Sequence, residues 1–259
     1  MSEPELTAEQ FFEQVKNHKM IVEMDNGVNR CLLFRNPESP YNRYFRIVTY
    51  HGSLCISGDM GCAVFQRLDD MFEFFRMEEE HTELCINPDY WGEKLQTESK
   101  FGKSIIFDEE RYEEIIREEF KRHCDCWSNL DWESINDPED ENHAQPFPKT
   151  WKAVEEELLC SIDNQYDARE AVDSFSFKEQ DFTFQITDFW DYHLMKYSVH
   201  HLWRCYAIVW AITQYDKWKV EQGKNKPSCD RCDGTGKVPL YGDEELHLCP
   251  KCGGFGFDA

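Results

Sequence analysis

The stretch Met20-Ile-Val-Glu-Met-Asp-Asn-Gly-Val-Asn-Arg-Cys-Leu-Leu-Phe34 sets two apolar, partly β-branched runs on either side of Asp25-Asn26-Gly27, a tripeptide suited to a tight turn. The same pattern continues downstream. Residues 44–50 and 53–57 are again apolar and β-branched, separated by His51-Gly52, and Asn36-Pro-Glu-Ser-Pro40 interrupts the chain before them. Four such runs, joined by turns too short for a helical crossover, predict three or four antiparallel strands in meander order.

Working outward, Thr7-Ala-Glu-Gln10 reads as a capping box that opens a short helix carrying Phe11, Phe12 and Val15. On the other side, Gly58-Asp59-Met60-Gly61 breaks the strand pattern, and residues 68–75 read as an amphipathic helix covering the sheet. Residues 108–122 place Tyr112, Ile115, Ile116 and Phe120 at helical spacing, and 151–160 and 164–175 predict two more helices. Residues 131–149 lack periodicity and read as an exposed loop, and 177–184 as a strand or extended segment. From 188 to about 220, Phe189, Leu194, Tyr197, Leu202, Trp203, Tyr206 and Trp210 predict one long aromatic helix in the core, ended by Gly223 and Pro227. The expected fold is α+β: an acidic body over 1–223, with a small antiparallel sheet packed by helices that include the long aromatic one, then a separate module over 224–259.

That module is built on a repeat. Cys229-Asp-Arg-Cys232-Asp-Gly-Thr-Gly236 and Cys249-Pro-Lys-Cys252-Gly-Gly-Phe-Gly256 are two copies of Cys-x-x-Cys-x-Gly-x-Gly. Each knuckle can present two thiolates at about 2.3 Å from one metal, and the intervening chain is long enough to fold one knuckle onto the other. The expectation is one structural Zn²⁺ held by Cys229, Cys232, Cys249 and Cys252 in a four-cysteine zinc ribbon. Such a closed site leaves no position open to water or substrate. The pair resembles half of the cysteine-rich domain of DnaJ-type co-chaperones, over about residues 226–257 only, and no His-Pro-Asp tripeptide accompanies it.

The chain has 51 acidic against 28 basic residues, a formal net charge of -23, which argues against non-specific binding of nucleic acid or anionic membranes by the body. No run of 18 or more apolar residues and no secretory leader pattern is present, and the eight remaining cysteines lack disulfide spacing; cytoplasmic residence is the expectation. Between Asp108 and Glu141 there are 14 acidic and four basic residues. Glu109, Glu110, Glu113, Glu114, Glu118 and Glu119 on the helix, with Asp137, Glu139, Asp140 and Glu141 on the loop, form a candidate surface for a partner with a basic face. Around the ribbon, Lys224, Lys226, Arg231, Lys237 and Lys251 offer a local basis for nucleic-acid contact, offset by neighbouring acids.

No phosphate-binding loop, dinucleotide fingerprint, His-Glu-x-x-His pair or Gly-x-Ser-x-Gly elbow occurs. One pocket candidate remains, at a Gly58-Asp59-Met60-Gly61 turn leading from strand to helix, with His193 and His200 of the long helix as acid/base partners. His123, Cys124 and Cys126 lie close enough in sequence to be weighed as a second metal site. Leu54-Cys-Ile-Ser-Gly-Asp-Met-Gly61, Met71-Phe-Glu-Phe-Phe75, Ile86-Asn-Pro-Asp-Tyr-Trp91 and Leu202-Trp-Arg-Cys-Tyr-Ala-Ile-Val-Trp210 resemble a family of uncharacterised proteins carried by phages, prophages and plasmids, over about 43–216. The resemblance implies carriage by a mobile element and brings no activity with it; joined to the acidic surface, it leads to the expectation of a non-enzymatic accessory protein that binds and antagonises a host protein, such as a defence nuclease or another nucleic-acid-binding factor.

Overall fold

A computed structural model describes residues 6–76, 84–127, 147–160, 162–223, 228–239 and 246–257, the side chains of 125–127 excepted. The chain forms two compact units, one of residues 105–197 and one of 4–104 with 198–259. The expected junction at 223/224 falls inside the second of these.

In that larger unit, helix α1 (Ala8–Val15) starts on the Thr7/Gln10 capping box, both of whose reciprocal hydrogen bonds form. Six strands follow: β1 (Lys19–Asn26), β2 (Asn29–Arg35), β3 (Phe45–Tyr50), β4 (Ser53–Gly58), β5 (Gly61–Gln66) and β6 (Leu95–Glu98). They pair antiparallel in sequence order, so the meander has six strands rather than three or four. Three of its connections are two-residue hairpins, closed by the pairs Asn26–Asn29, Tyr50–Ser53 and Gly58–Gly61. Gly27 and Gly52 supply the positive φ that two of these turns require. Between β5 and β6 lie the short helices α2 (Met71–Phe75) and α3 (Pro88–Gly92).

Period-two alternation puts Leu32, Phe34, Phe45, Ile47, Leu54, Ile56, Ala63 and Phe65 on the buried face. Rings close the layer above it: Phe34 meets Trp210 at 5.5 Å, Phe45 meets Trp203 at 5.5 Å, and Phe11 meets Trp203 at 5.3 Å. Edge-to-face contacts of this kind each add about 0.5–1.5 kcal/mol beyond burial.

The smaller unit begins with β7 (Ile105–Phe107) and α4 (Glu109–Trp127), then α5 (Pro148–Glu157), α6 (Gln165–Ser174), the hairpin β8 (Phe177–Glu179) with β9 (Phe182–Phe184), and β10 (Met195–Tyr197). Strand β10 pairs antiparallel with β7. Tyr112, Ile115, Ile116, Phe120 and Cys124 of α4 bury against Val154, Val172, Phe182, Phe184 and Phe189.

The chain then returns to the larger unit as α7 (Val199–Gly223), buried nearly all round from His201 to Ile212. The Ser198 hydroxyl accepts from the His201 N–H and starts the helix. This corrects the sequence expectation at one end. Asp188 adopts a left-handed conformation, Phe189–Asp191 forms a 3-10 turn and Met195–Tyr197 is a strand, so the aromatic spacing of 188–197 belongs to irregular structure and His193 is not on the helix. Among the described residues, no helix is long and apolar enough to cross a membrane.

Candidate metal centre

Beyond α7, the ribbon hairpin β11 (Lys237–Pro239) and β12 (Leu246–Leu248) joins the two Cys-x-x-Cys knuckles. The knuckles answer each other through the backbone. The Cys229 N–H donates to Gly256 O at 2.8 Å and the Cys249 N–H donates to Gly236 O at 2.7 Å. Each knuckle also donates to its own sulfur, from Gly236 N–H to Cys232 Sγ and from Gly256 N–H to Cys252 Sγ, both at 3.3 Å. The glycines are required by this close approach. A Cβ on Gly236 would lie 2.1 Å from Gly254 O, and one on Gly256 would lie 2.3 Å from Gly234 O.

The result is four buried sulfurs, all within 4.8 Å of one another. Cys229 Sγ and Cys249 Sγ are 3.9 Å apart, and Cys232 Sγ and Cys252 Sγ are 3.6 Å apart. A tetrahedron with metal–sulfur bonds of about 2.3 Å has edges of about 3.8 Å, so the spacing fits one tetrahedral thiolate-bound ion. Burial pushes Cys252 up to about 12, whereas at Cys249 the upward push of burial is outweighed by hydrogen bonds from the backbone of Cys252 and Lys251 and from neighbouring thiols, which bring it down to about 7. A divalent ion would let all four ionise together. Among the described residues, this is the one group of three or more His, Cys, Asp or Glu side chains whose ligand atoms close on each other in this way. Cys124 is buried in the core and His123 Nδ1 is bonded to Glu119 O, while the Cys126 side chain lies outside the described residues.

The ribbon rests on α7. The Phe257 ring occupies the space above Gly223, where a Cβ would come within 1.9 Å of it, and Phe255 meets Tyr215 edge to face at 6.2 Å. Tyr215 in turn belongs to a charged network that the sequence did not announce. Its hydroxyl donates to Asp25 Oδ1 at 2.7 Å, Lys219 Nζ donates to Asp25 Oδ2 at 2.7 Å, and Arg30 is bidentate to Asp70 at 2.8 Å while donating to the Tyr215 oxygen at 3.3 Å. At Asp25 burial pushes the carboxyl up, and the Lys219 and Tyr215 hydrogen bonds outweigh it, so the net shift is downward.

The other predicted sites are placed as follows. Gly58-Asp59-Met60-Gly61 joins two strands, not a strand and a helix. A Cβ on Gly58 would lie 2.2 Å from Tyr44 O. The Asp59 carboxylate accepts from the Arg43 N–H at 2.9 Å, fixing Arg43 at a φ of 54°. Asp59 is thus engaged in holding its own turn. His200 is exposed, with its ring against Gly102, and His193 belongs to the smaller unit.

On α4, Glu109, Glu114 and Glu118 are exposed and Glu110 and Glu113 half-buried. Arg111 lies 3.2 Å from Glu114 and Arg117 lies 3.5 Å from Glu113, which neutralises part of the face. Glu119 is not on that face. It is buried, accepting from the Tyr192 hydroxyl at 2.5 Å and pairing with Arg122. Asp137, Glu139, Asp140 and Glu141 lie outside the described residues.

No protein-family model, curated protein or solved structure matches the chain.

Proposed function

We propose a non-enzymatic binding protein in which a four-cysteine ribbon, holding one structural Zn²⁺, braces the larger unit while the acidic smaller unit engages a basic surface on another protein. One observation carries the second part. Residues 105–197 contain 25 acidic against nine basic residues, whereas 4–104 with 198–259 contain 25 against 19, so most of the excess charge resides in one unit. Concentrated charge raises association rates with an oppositely charged partner and makes binding sensitive to salt. The resemblance of 43–216 to proteins of phages and other mobile elements supports a host protein as that partner.

For the metal, the sulfur tetrahedron and the two N–H···S bonds support zinc over harder ions, which prefer oxygen. The closed donor set makes the ion structural. The ribbon's own cations give less support to nucleic-acid binding there: Lys251 is paired with Asp230 at 2.5 Å.

The test pairs metal analysis of the purified protein with capture of host proteins at low and high salt. One zinc per chain, and a retained partner that is lost at high salt or when Glu109, Glu114 and Glu118 are changed to Lys, is the expected result. A partner indifferent to those three charge reversals would remove the acidic-face reading and leave the zinc reading standing.

A further inference from the structure

The larger unit presents the opposite surface chemistry at one end of its sheet, around the β4–β5 turn. Tyr41 and Phe101 are 82% and 81% exposed, more than any other large hydrophobic side chain among the described residues. Both are tied to that turn. Tyr41 stands two residues before Arg43, whose N–H is held by Asp59. Phe101 is two residues past Ser99, whose N–H donates to Cys62 O at 2.9 Å and whose hydroxyl accepts from the Cys62 N–H at 3.2 Å and donates to Phe101 O. The loop is held at its far side too, because the Gly102 backbone lies against the His200 ring and the Ser198 hydroxyl donates to Lys103 O at 2.5 Å.

Cations lie beside these rings in sequence and at the same end of the sheet. Lys100 and Lys103 flank Phe101 and are exposed, and Arg43 sits on the Tyr41 side. Lys19 and Arg35, paired across β1 and β2 at the same sheet end, are exposed as well. Among the described residues, none of Lys19, Arg35, Lys100 and Lys103 lies within ion-pairing distance of a carboxylate, in contrast to Arg30, Arg46, Arg76, Lys94 and Lys219 elsewhere in the unit. In a chain with nearly twice as many acids as bases, exposed cations without a close carboxylate at the sheet end that carries two bare rings call for an anionic partner with flat apolar surfaces.

We propose that this sheet end binds single-stranded nucleic acid, with bases stacked on Phe101 and Tyr41 and phosphates met by Lys100, Lys103, Arg43 and the Lys19/Arg35 pair. Stacking on aromatic side chains combined with a cationic track is the physical basis of sequence-tolerant single-strand binding. An acidic peptide would satisfy the charges and leave the rings bare. A duplex has its bases already stacked and is read by an element that enters a groove, whereas this end is made of a two-residue hairpin and a short loop. The proposal does not depend on the acidic unit's partner, and it makes this sheet end a local exception to the repulsion of nucleic acid expected from the net charge of the body.

The experiment is fluorescence anisotropy of a labelled 15-nucleotide oligo(dT) with the full-length, metal-replete protein at 50 and 200 mM salt. About five phosphate contacts at a slope of about -0.7 each weaken binding by about 130-fold over that range. Phe101→Ala and Tyr41→Ala should each weaken it by about 5- to 150-fold, from stacking worth about 1–3 kcal/mol per base. Both side chains are exposed, so circular dichroism and melting should be unchanged, and Lys100→Gln with Lys103→Gln should flatten the salt slope. The proposal is overturned by absence of binding at 50 mM salt, by tighter binding of duplex than of single strand, or by affinity that survives both aromatic substitutions. It is equally overturned if polyglutamate competes as well as oligo(dT), or if Arg231→Glu in the ribbon removes the binding instead.

Discussion

Substituting alanine at Gly236 and, separately, at Gly253 tests whether the ribbon geometry is what holds the metal. Both glycines have positive φ, 74° and 61°, so each alanine incurs the left-handed penalty of about 1–2 kcal/mol. Their surroundings differ. At Gly253 the nearest atom to a new Cβ is on the Phe255 ring at 3.7 Å, an ordinary contact, whereas at Gly236 it is Gly254 O at 2.1 Å. That oxygen is backbone and cannot rotate away, so the knuckles must separate by about 1 Å, short of the roughly 3.2 Å at which carbon and oxygen touch comfortably. Separation breaks the 2.7 Å bond from Cys249 N–H to Gly236 O and weakens the Gly236 N–H to Cys232 Sγ bond, at about 1 kcal/mol each. Gly236→Ala should therefore cost about 3–4 kcal/mol, or about 150- to 1000-fold in zinc affinity, against about 5- to 30-fold for Gly253→Ala. Competition with a chromophoric chelator measures both. Equal losses at the two positions would refute the reasoning, because the shared φ penalty would then be the whole effect.

Three further outcomes follow from the larger unit. Arg30→Met removes the bidentate partner of Asp70 and the cation over the Phe72 ring, leaving a carboxylate without its charge; urea unfolding should show a loss of about 3–5 kcal/mol, and a loss below about 1 kcal/mol would mean the pair is solvated. Burial pushes His18 and His201 below the ordinary 6.5, so the unfolded chain takes up protons first as pH falls. Their contribution to stability is complete above about pH 6.5 and is lost as pH drops below it through the depressed folded values. Melting temperatures at pH 7.5, 6.5 and 5.5 should fall less steeply for His18→Gln than for the parent chain, a comparison in which the proton dependence of the thiolates cancels; identical slopes would count against it. Finally, chelation should raise amide exchange in the last two turns of α7, where Phe257 and Phe255 rest, more than in β2–β4; protection unchanged at 215–223 would show that the ribbon does not brace the helix.

What could be read from the chain depended on whether the information was local. The first four strands were legible because alternation and the turns at Asn26-Gly27 and His51-Gly52 are properties of neighbouring residues. Strand β5 carries Ala63 and Phe65 at the right period but was masked by the glycines before it, and β6, Leu-Gln-Thr-Glu, has a single apolar residue and exists because β5 offers it an edge. The start of the long helix was misplaced for a related reason. Phe189, Leu194 and Tyr197 satisfy helical spacing, yet Met195–Tyr197 is drawn into a ladder with Ile105–Phe107, a pairing that no window around 188–197 contains. The four cysteines were legible because both knuckles are local, and only their approach to one another is tertiary. Arg30 with Asp70, and Asp25 with Lys219, lie 40 and 194 positions apart, beyond the reach of any periodicity.

The same distinction bears on how the ribbon relates to the body. As a sequence, the repeat looks appended, since a polar stretch with Gly223 and Pro227 precedes it. In the fold, Gly223 ends α7 and is also the seat of the Phe257 ring, and any side chain there would displace that ring. Phe255, the variable residue of the second Gly-x-Gly, reaches Tyr215, whose hydroxyl joins Asp25 on β1 to Arg30 on β2. A path of direct contacts therefore runs from the second knuckle to the edge of the sheet. A four-cysteine ribbon too small to form a core of its own gains order when it binds an ion, and here two rings beside the cysteines would pass that order to the end of the helix that packs the sheet. A metal held by the four cysteines would therefore act beyond the ribbon, steadying the rings that rest on the end of α7 next to the Asp25–Tyr215–Arg30 network.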